Sequence, residues 1–240
     1  MKTSPRRAAA RREGAAGVVV WVAACPARQP GDGRADCGSV AVHGRAAQEE
    51  PRQQRQAEQR AKVAELQDPD KGLVLVHTGP GKGKSSSAFG VVVRALGWKQ
   101  RVGVVQFIKG KWKTGERLFF ERLDEVTWHT MGEGFTWDTQ DRNRDIAAAE
   151  AAFGKAREMM ESGDYDLVVM DEINIAIRYE YLKIEDVIAG LDARDKRTAV
   201  VLTGRDARPE LCDYADLVTE MSEVKHPFKA GIKAQRGVDY

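Results

Sequence analysis

The run Gly79-Pro80-Gly81-Lys82-Gly83-Lys84-Ser85 carries the clearest chemistry in this sequence. Glycines let a backbone curl until consecutive N–H groups face a single anion, and neighbouring lysines add positive charge. The apolar run Leu73–His77 leads in, and a helical pattern, Ser85–Leu96, leads out. That placement points a helix N-terminus at a phosphate. The usual spacing is GxxxxGK[ST]. Thr78 stands where the first glycine belongs, and Gly83-Lys84-Ser85 fits in register. The candidate phosphate-binding residues are Thr78, Gly79, Gly81, Lys82, Gly83, Lys84, Ser85 and Ser86. Lys84 is expected to reach the terminal phosphates and Ser85 to ligate a divalent cation, Mg²⁺ or Mn²⁺. The competing reading is a tight glycine turn with Lys84 merely solvated.

A second element weighs against that reading. Asp166-Leu167-Val168-Val169-Met170-Asp171-Glu172 is an apolar strand ending in two carboxylates. In phosphate-loop proteins an acidic residue at such a strand end completes the metal shell. Helix capping would explain one carboxylate more readily than two. Asp171 and Glu172 join Ser85 as candidate metal ligands. Arg205, in Thr203-Gly204-Arg205 after another apolar run, could touch phosphates or be an ordinary surface arginine. Gly134-Phe135-Thr136-Trp137 places two aromatic rings in a glycine-flanked loop, where core packing and ligand contact both remain open.

The elements that must position these residues alternate. Strands are expected at Leu73–His77, Val102–Ile108, Val126–Thr130, Leu167–Met170, Thr198–Leu202 and Leu217–Met221. Helices are expected at Ser85–Leu96, with Gly97 as C-cap, and at Asp141–Ser162, Ile184–Leu191 and Glu210–Tyr214. Such alternation predicts an α/β fold with a mostly parallel sheet covered on both faces, its ligands at the carboxyl ends of the strands. Gln48–Gln67 is rich in helix formers and predicts an exposed helix, ended by the turn Asp68–Gly72.

Residues 1–46 hold eight Lys/Arg against three Asp/Glu, so the remaining 194 residues sum to about −3 within a total of +2. A domain of that charge is not expected to bind nucleic acid. Cys25, Cys37 and Cys212 have no metal-ligand spacing, which suits a reduced, cytoplasmic setting. Arg6–Arg12 followed by the apolar run Ala15–Cys25 has the outline of a secretory signal, but the run is too short to span a bilayer. Residues 1–46 are expected to be a disordered extension or a misassigned start, and no membrane association is expected.

The segments TGPGKGKSSSAFG (Thr78–Gly90), GVVQFIKGKWKTGER (Gly103–Arg117), GFTWDTQ (Gly134–Gln140), VVMDEI (Val168–Ile173), VVLTGR (Val200–Arg205) and VKHPFKAGIKAQRGVDY (Val224–Tyr240) occur in that order. Over about Gln48–Tyr240 the chain resembles the phosphate-loop type of ATP:corrinoid adenosyltransferase. The resemblance implies a RecA-like P-loop NTPase fold of three α/β/α layers. It also implies transfer of the 5′-deoxyadenosyl group of ATP to the Co(I) of a corrinoid, with release of triphosphate, in adenosylcobalamin biosynthesis or salvage. Lys82, Lys84 and Glu172 would be the catalytic residues; Ser85 and Glu172 would hold the metal, with Asp171 as helper. Phe135 and Trp137 would pack beneath the corrin ring. The helix in residues 47–70 would cap the active site of the 71–240 domain, across a homodimer. A reduced flavoprotein would supply electrons. Pro80 and Ser85 depart from the Asn and Thr common in relatives; Pro80 removes one N–H donor from the loop. The rival readings are a P-loop ATPase or phosphotransferase, and a nucleotide-dependent corrinoid carrier.

Overall fold

The computed structural model describes residues 43–66, 70–107, 114–130 and 142–239. The chain divides into two compact units, Met1–Val63 and Ala64–Tyr240. In the first, α1 (His43–Ala64) is a helix of 22 residues, beginning upstream of the expected Gln48 and ending short of Gln67. No helix among the described residues is long and apolar enough to cross a membrane.

In the second unit, β1 (Val74–Thr78) leads through the glycine loop into α2 (Lys84–Gly97). β2 (Val102–Gln106), α3 (Gly115–Phe120), β3 (Val126–Thr130) and α4 (Arg142–Glu161) follow. Then come β4 (Leu167–Asp171), α5 (Ile173–Arg178), α6 (Ile184–Asp192), β5 (Ala199–Thr203), α7 (Pro209–Tyr214) and β6 (Leu217–Glu220). The six strands form one sheet in the order β3-β2-β4-β5-β1-β6, and every pairing is parallel. The α/β expectation is met, with the helices covering both faces.

Successive strand residues point to opposite faces, so a sheet buried on both sides reads as a continuous apolar run. β4 shows this directly. Val168 and Met170 join the core beneath α4, α5 and α6, whereas Leu167 and Val169 join the core beneath α2. On the α2 side, Phe89, Phe120 and Trp128 stack with ring centroids 5.5–6.3 Å apart and lock α2, α3 and β3 together.

Two local expectations change. Gly97 is not a C-cap: α2 runs through it, Trp98 is the cap at φ −94°, and the left-handed turn falls on Lys99 at φ 59°. Trp98 N–H and Lys99 N–H bond back to Ala95 O and Leu96 O, tightening the last turn without needing glycine. The short helices α3 and α5, six residues each, carry too little periodicity to be expected from pattern. β2 pairing ends at Gln106, although Phe107 N–H still bonds to Asp171 O. Residues 131–141, which hold Phe135 and Trp137, and Ile108 lie outside the described residues.

His77 is a polar residue in a strand interior, 3% exposed, with Nδ1 3.4 Å from the Lys84 carbonyl oxygen. Burial holds its pKa below the ordinary 6.5, only partly opposed by that carbonyl. The unfolded chain therefore takes up the proton first. This contribution to stability is complete above the unfolded value and is lost as pH falls through the folded one. Thermal melts between about pH 8 and about pH 5 should show the midpoint falling on the acid side, and His77→Val should flatten that limb. The limb should not vanish, because burial also lowers the pKa of His129.

Candidate active site

Three strand ends build the site. β1 opens into the glycine loop, β4 ends in Asp171 and Glu172, and β5 leads into Gly204-Arg205-Asp206. The strand order brings β1, β5 and β4 side by side, so their carboxyl ends face one cleft. Lys82, Lys84, Ser85, Ser86, Glu172 and Arg205 line it, together with Glu116 from α3 and Val238 and Asp239 from the segment after β6. Its volume is about 280 Å³. That is the low end for a ligand site and suits a chain of phosphates.

The loop is held from outside. Gly81 N–H donates to Met221 O at 2.7 Å, and Met221 N–H donates to Thr78 O at 2.9 Å. Gly79 lies at φ 95°, and a Cβ there would approach Met221 O to 2.6 Å, so both conformation and space demand glycine. At Gly81 a Cβ would meet Ser222 O at 2.5 Å. Lys84 Nζ donates to Gly79 O at 2.9 Å and Gly81 O at 2.5 Å, bracing the curl from within. Burial lowers the Lys84 pKa, while Glu172 opposes and Arg205 adds to the shift.

Thr78, expected as a phosphate-binding residue, makes a different contact. Its Oγ1 accepts the Ala207 N–H at 3.0 Å and so ties the Arg205 loop to the phosphate loop. Gly204 N–H bonds to His77 O, and Asn174 Nδ2 donates to Gly204 O at 3.1 Å. The position of Arg205 thus depends on two neighbouring segments, the end of β1 and α5.

Asp171 is fully buried, and its oxygens accept from Gln106 Nε2 at 3.0 Å and from Thr203 Oγ1 at 2.8 Å. The Thr203 hydroxyl also accepts the Glu172 N–H at 2.9 Å. Glu172 has φ 66° and ψ 19°, a left-handed conformation that is costly outside glycine and is often kept where function uses it. The bend turns the chain from β4 into α5 and brings Glu172 to the cleft that Ser85 also lines. Gln106, Thr203 and Asp239 were not nominated from the sequence. Gln106, a lone polar residue ending an apolar strand, was the one visible signal among them.

An all-parallel sheet with this loop after β1 and carboxylates at the end of β4 defines a nucleotide-binding α/β protein of the phosphate-loop class. The sequence model of the ATP:corrinoid adenosyltransferase family BtuR/CobO/CobP matches residues 70–240. A corrinoid adenosyltransferase of Pseudomonas aeruginosa is 57% identical over 180 residues, 75% of this chain and 88% of its own. One from Sinorhizobium is 48% identical over 184 residues, 75% and 86% of the two chains. The corrinoid adenosyltransferase CobA of Salmonella typhimurium is 45% identical over 180 residues, 75% and 91%. The chain belongs to the ATP:corrinoid adenosyltransferase family, and it is an enzyme of adenosyl transfer in cobalamin biosynthesis rather than of phosphoryl transfer.

Removing the Thr78 hydroxyl leaves the Ala207 N–H without its partner. Such a loss costs on the order of 1–3 kcal/mol where the group is buried. Thr78→Val should lower kcat/KM for ATP about ten-fold, whereas Thr78→Ser should stay within about two-fold of the parent. Steady-state kinetics with varied ATP distinguish the two; loss in Thr78→Ser with Thr78→Val near the parent would show that the methyl group, not the hydroxyl, matters.

Proposed function

We propose that the phosphate loop holds the three phosphates of ATP as a single leaving group while the 5′-deoxyadenosyl group passes to the Co(I) of a bound corrinoid. The carrying observation is the convergence of Lys82, Lys84, Ser85, Glu172 and Arg205 on one cleft in a chain of this family. The electron pair of Co(I) attacks C5′; a Co–C bond forms as the C5′–O bond breaks, and the electrons of that bond leave on triphosphate. The substrate supplies a very strong nucleophile, so no serine, cysteine or lysine has to be activated and no general base is needed.

What remains for the chain is orientation and charge. Binding must hold the ribose in line with cobalt, which converts an encounter into a positioned reaction. Triphosphate gains negative charge as it departs, and fixed positive groups stabilise that development. Lys84 would exchange the carbonyls of Gly79 and Gly81 for phosphate oxygens. Lys82 and Arg205 add charge at the rim, and the N–H groups of Gly79, Gly83, Ser85 and Ser86 complete the cradle, which Gly81, its own N–H taken by Met221 O, and Thr78 hold in shape.

Mg²⁺ or Mn²⁺ fits the donors present. Ser85 and Glu172 both line the cleft and offer hard oxygens, and such ions are commonly held by one or two protein oxygens plus substrate phosphates. Ser85 and Glu172 would ligate the ion. Asp171, bonded to Gln106 and Thr203, would help by fixing the Glu172 backbone. The bound ion would supply charge neutralisation across the triphosphate.

The remaining assignments rest on the family. Phe135 and Trp137 would pack beneath the corrin ring and exclude a lower axial ligand, which eases reduction of Co(II). The helix in residues 47–70 would close over the site in a homodimer. A reduced flavoprotein would deliver electrons in the cytoplasm.

Incubation with ATP, Mg²⁺ and chemically reduced cobalamin should yield adenosylcobalamin and inorganic triphosphate; formation of ADP and phosphate would refute the reading. Lys84→Ala should lower kcat/KM at least ten-fold, since a charge-assisted bond contributes about 1.5–3 kcal/mol. Trp137→Ala should slow reaction from Co(II) far more than from pre-reduced Co(I). Equal loss in both assays would remove Trp137 from the corrin face.

A further inference from the structure

Lys82 of the phosphate loop forms an ion pair with Asp239, 157 positions later. The two are unequally placed: the Lys82 side chain is 51% exposed, that of Asp239 only 11%. Asp239 belongs to a tight turn in which its own N–H bonds to Gln235 O and its Oδ2 accepts the Gln235 N–H, both at 2.8 Å. Gly237, at φ 80°, closes that turn. The Gln235 N–H, and then Lys82, hold the Asp239 carboxyl below the usual carboxylate range, so it is an anion at neutral pH. Asp239 and Val238 line the cleft shared by Lys84, Ser85 and Glu172. The chain therefore keeps a carboxylate of its own in a cleft suited to phosphate.

The reaction gives such a carboxylate a task. Triphosphate carries every phosphate that ATP does and one more negative charge, because the ester bond to C5′ is gone. A cleft that holds the phosphates of ATP through Lys82, Lys84 and Arg205 holds the free product at least as tightly. Tight product binding limits turnover. An internal anion that reclaims one of those lysines lowers the hold on product.

We propose that Asp239 sets the affinity for triphosphate by competing for Lys82, and that the exchange of Lys82 between the phosphates and Asp239 promotes product release. Asp239 acts through Lys82 and is a positioning residue, not a catalytic one. The proposal rests on the assignment of this cleft to the phosphates of ATP.

The test is calorimetric binding of inorganic triphosphate and of ATP, with and without Mg²⁺, to the full chain and to Asp239→Asn and Asp239→Glu, alongside steady-state kinetics. Asp239→Asn should bind triphosphate about two- to five-fold more tightly, as expected for loss of a partly exposed competing ion pair. Its kcat should fall while kcat/KM for ATP does not, and Asp239→Glu should restore the parent values. A merely structural turn would not separate kcat from kcat/KM in this way. Unchanged triphosphate affinity in Asp239→Asn overturns the proposal. Weaker binding confined to the Mg²⁺ arm also overturns it, by placing Asp239 on the metal. If the parent protein binds neither ATP nor triphosphate, the phosphate assignment of the cleft falls first and the proposal with it.

Discussion

The bonds from Gly81 N–H to Met221 O and from Met221 N–H to Thr78 O fix the curl of the phosphate loop, and the rest of the site takes its geometry from that curl. A glycine-rich segment has more conformational freedom to lose than any other and does not hold such a shape by itself. Here the start of the C-terminal segment, just beyond β6, lies against Gly79 and Gly81 closely enough to exclude a Cβ at either. The same Thr78 receives Ala207 through its hydroxyl, so one residue links the loops after β1, β5 and β6. The shape of the glycine loop is thus a property of three adjacent strands.

A second consequence concerns charge. Both loop lysines are held by the chain itself: Lys84 is bonded to carbonyls of the loop, and Lys82 is paired with Asp239. Burial already disfavours the charged form of Lys84, and nearby Arg205 adds to the effect. Glu172 partly offsets both. A cleft that gathers like charges needs internal counter-charges to stay folded, and on the proposed reading a triphosphate would displace them. The acidic side is equally tied down. Asp171 is engaged by Gln106 and Thr203, and Glu172 is fixed in a left-handed turn by that same threonine.

Carbon chemistry at the ribose, with the nucleophile carried by the corrinoid, asks for no nucleophile–base pair from the protein. On the proposed reading the phosphate loop, elsewhere associated with cleavage between phosphates, has only to keep three phosphates together and accept growing charge. The donors that line the cleft are cations, backbone N–H groups and hydroxyls, which suits that task.

The sequence by itself determined the parts of the site that are contiguous. Gly79–Ser85 and Asp171-Glu172 are legible because each works through fixed local spacing, and the apolar runs around them announce a buried parallel sheet. The segments of the family resemblance lie in order along the chain and needed no fold to be seen. The six-residue helices α3 and α5 escaped although α7, of the same length, did not, and Gly97 misled because backbone bonds closed α2 without it. Tertiary structure decided the rest. Gln106 reaches Asp171 across 65 positions, Thr203 across 32, and Asp239 reaches Lys82 across 157. Those meetings follow from the strand order β3-β2-β4-β5-β1-β6, which is set by how whole strands and their covering helices pack, and no local pattern encodes it.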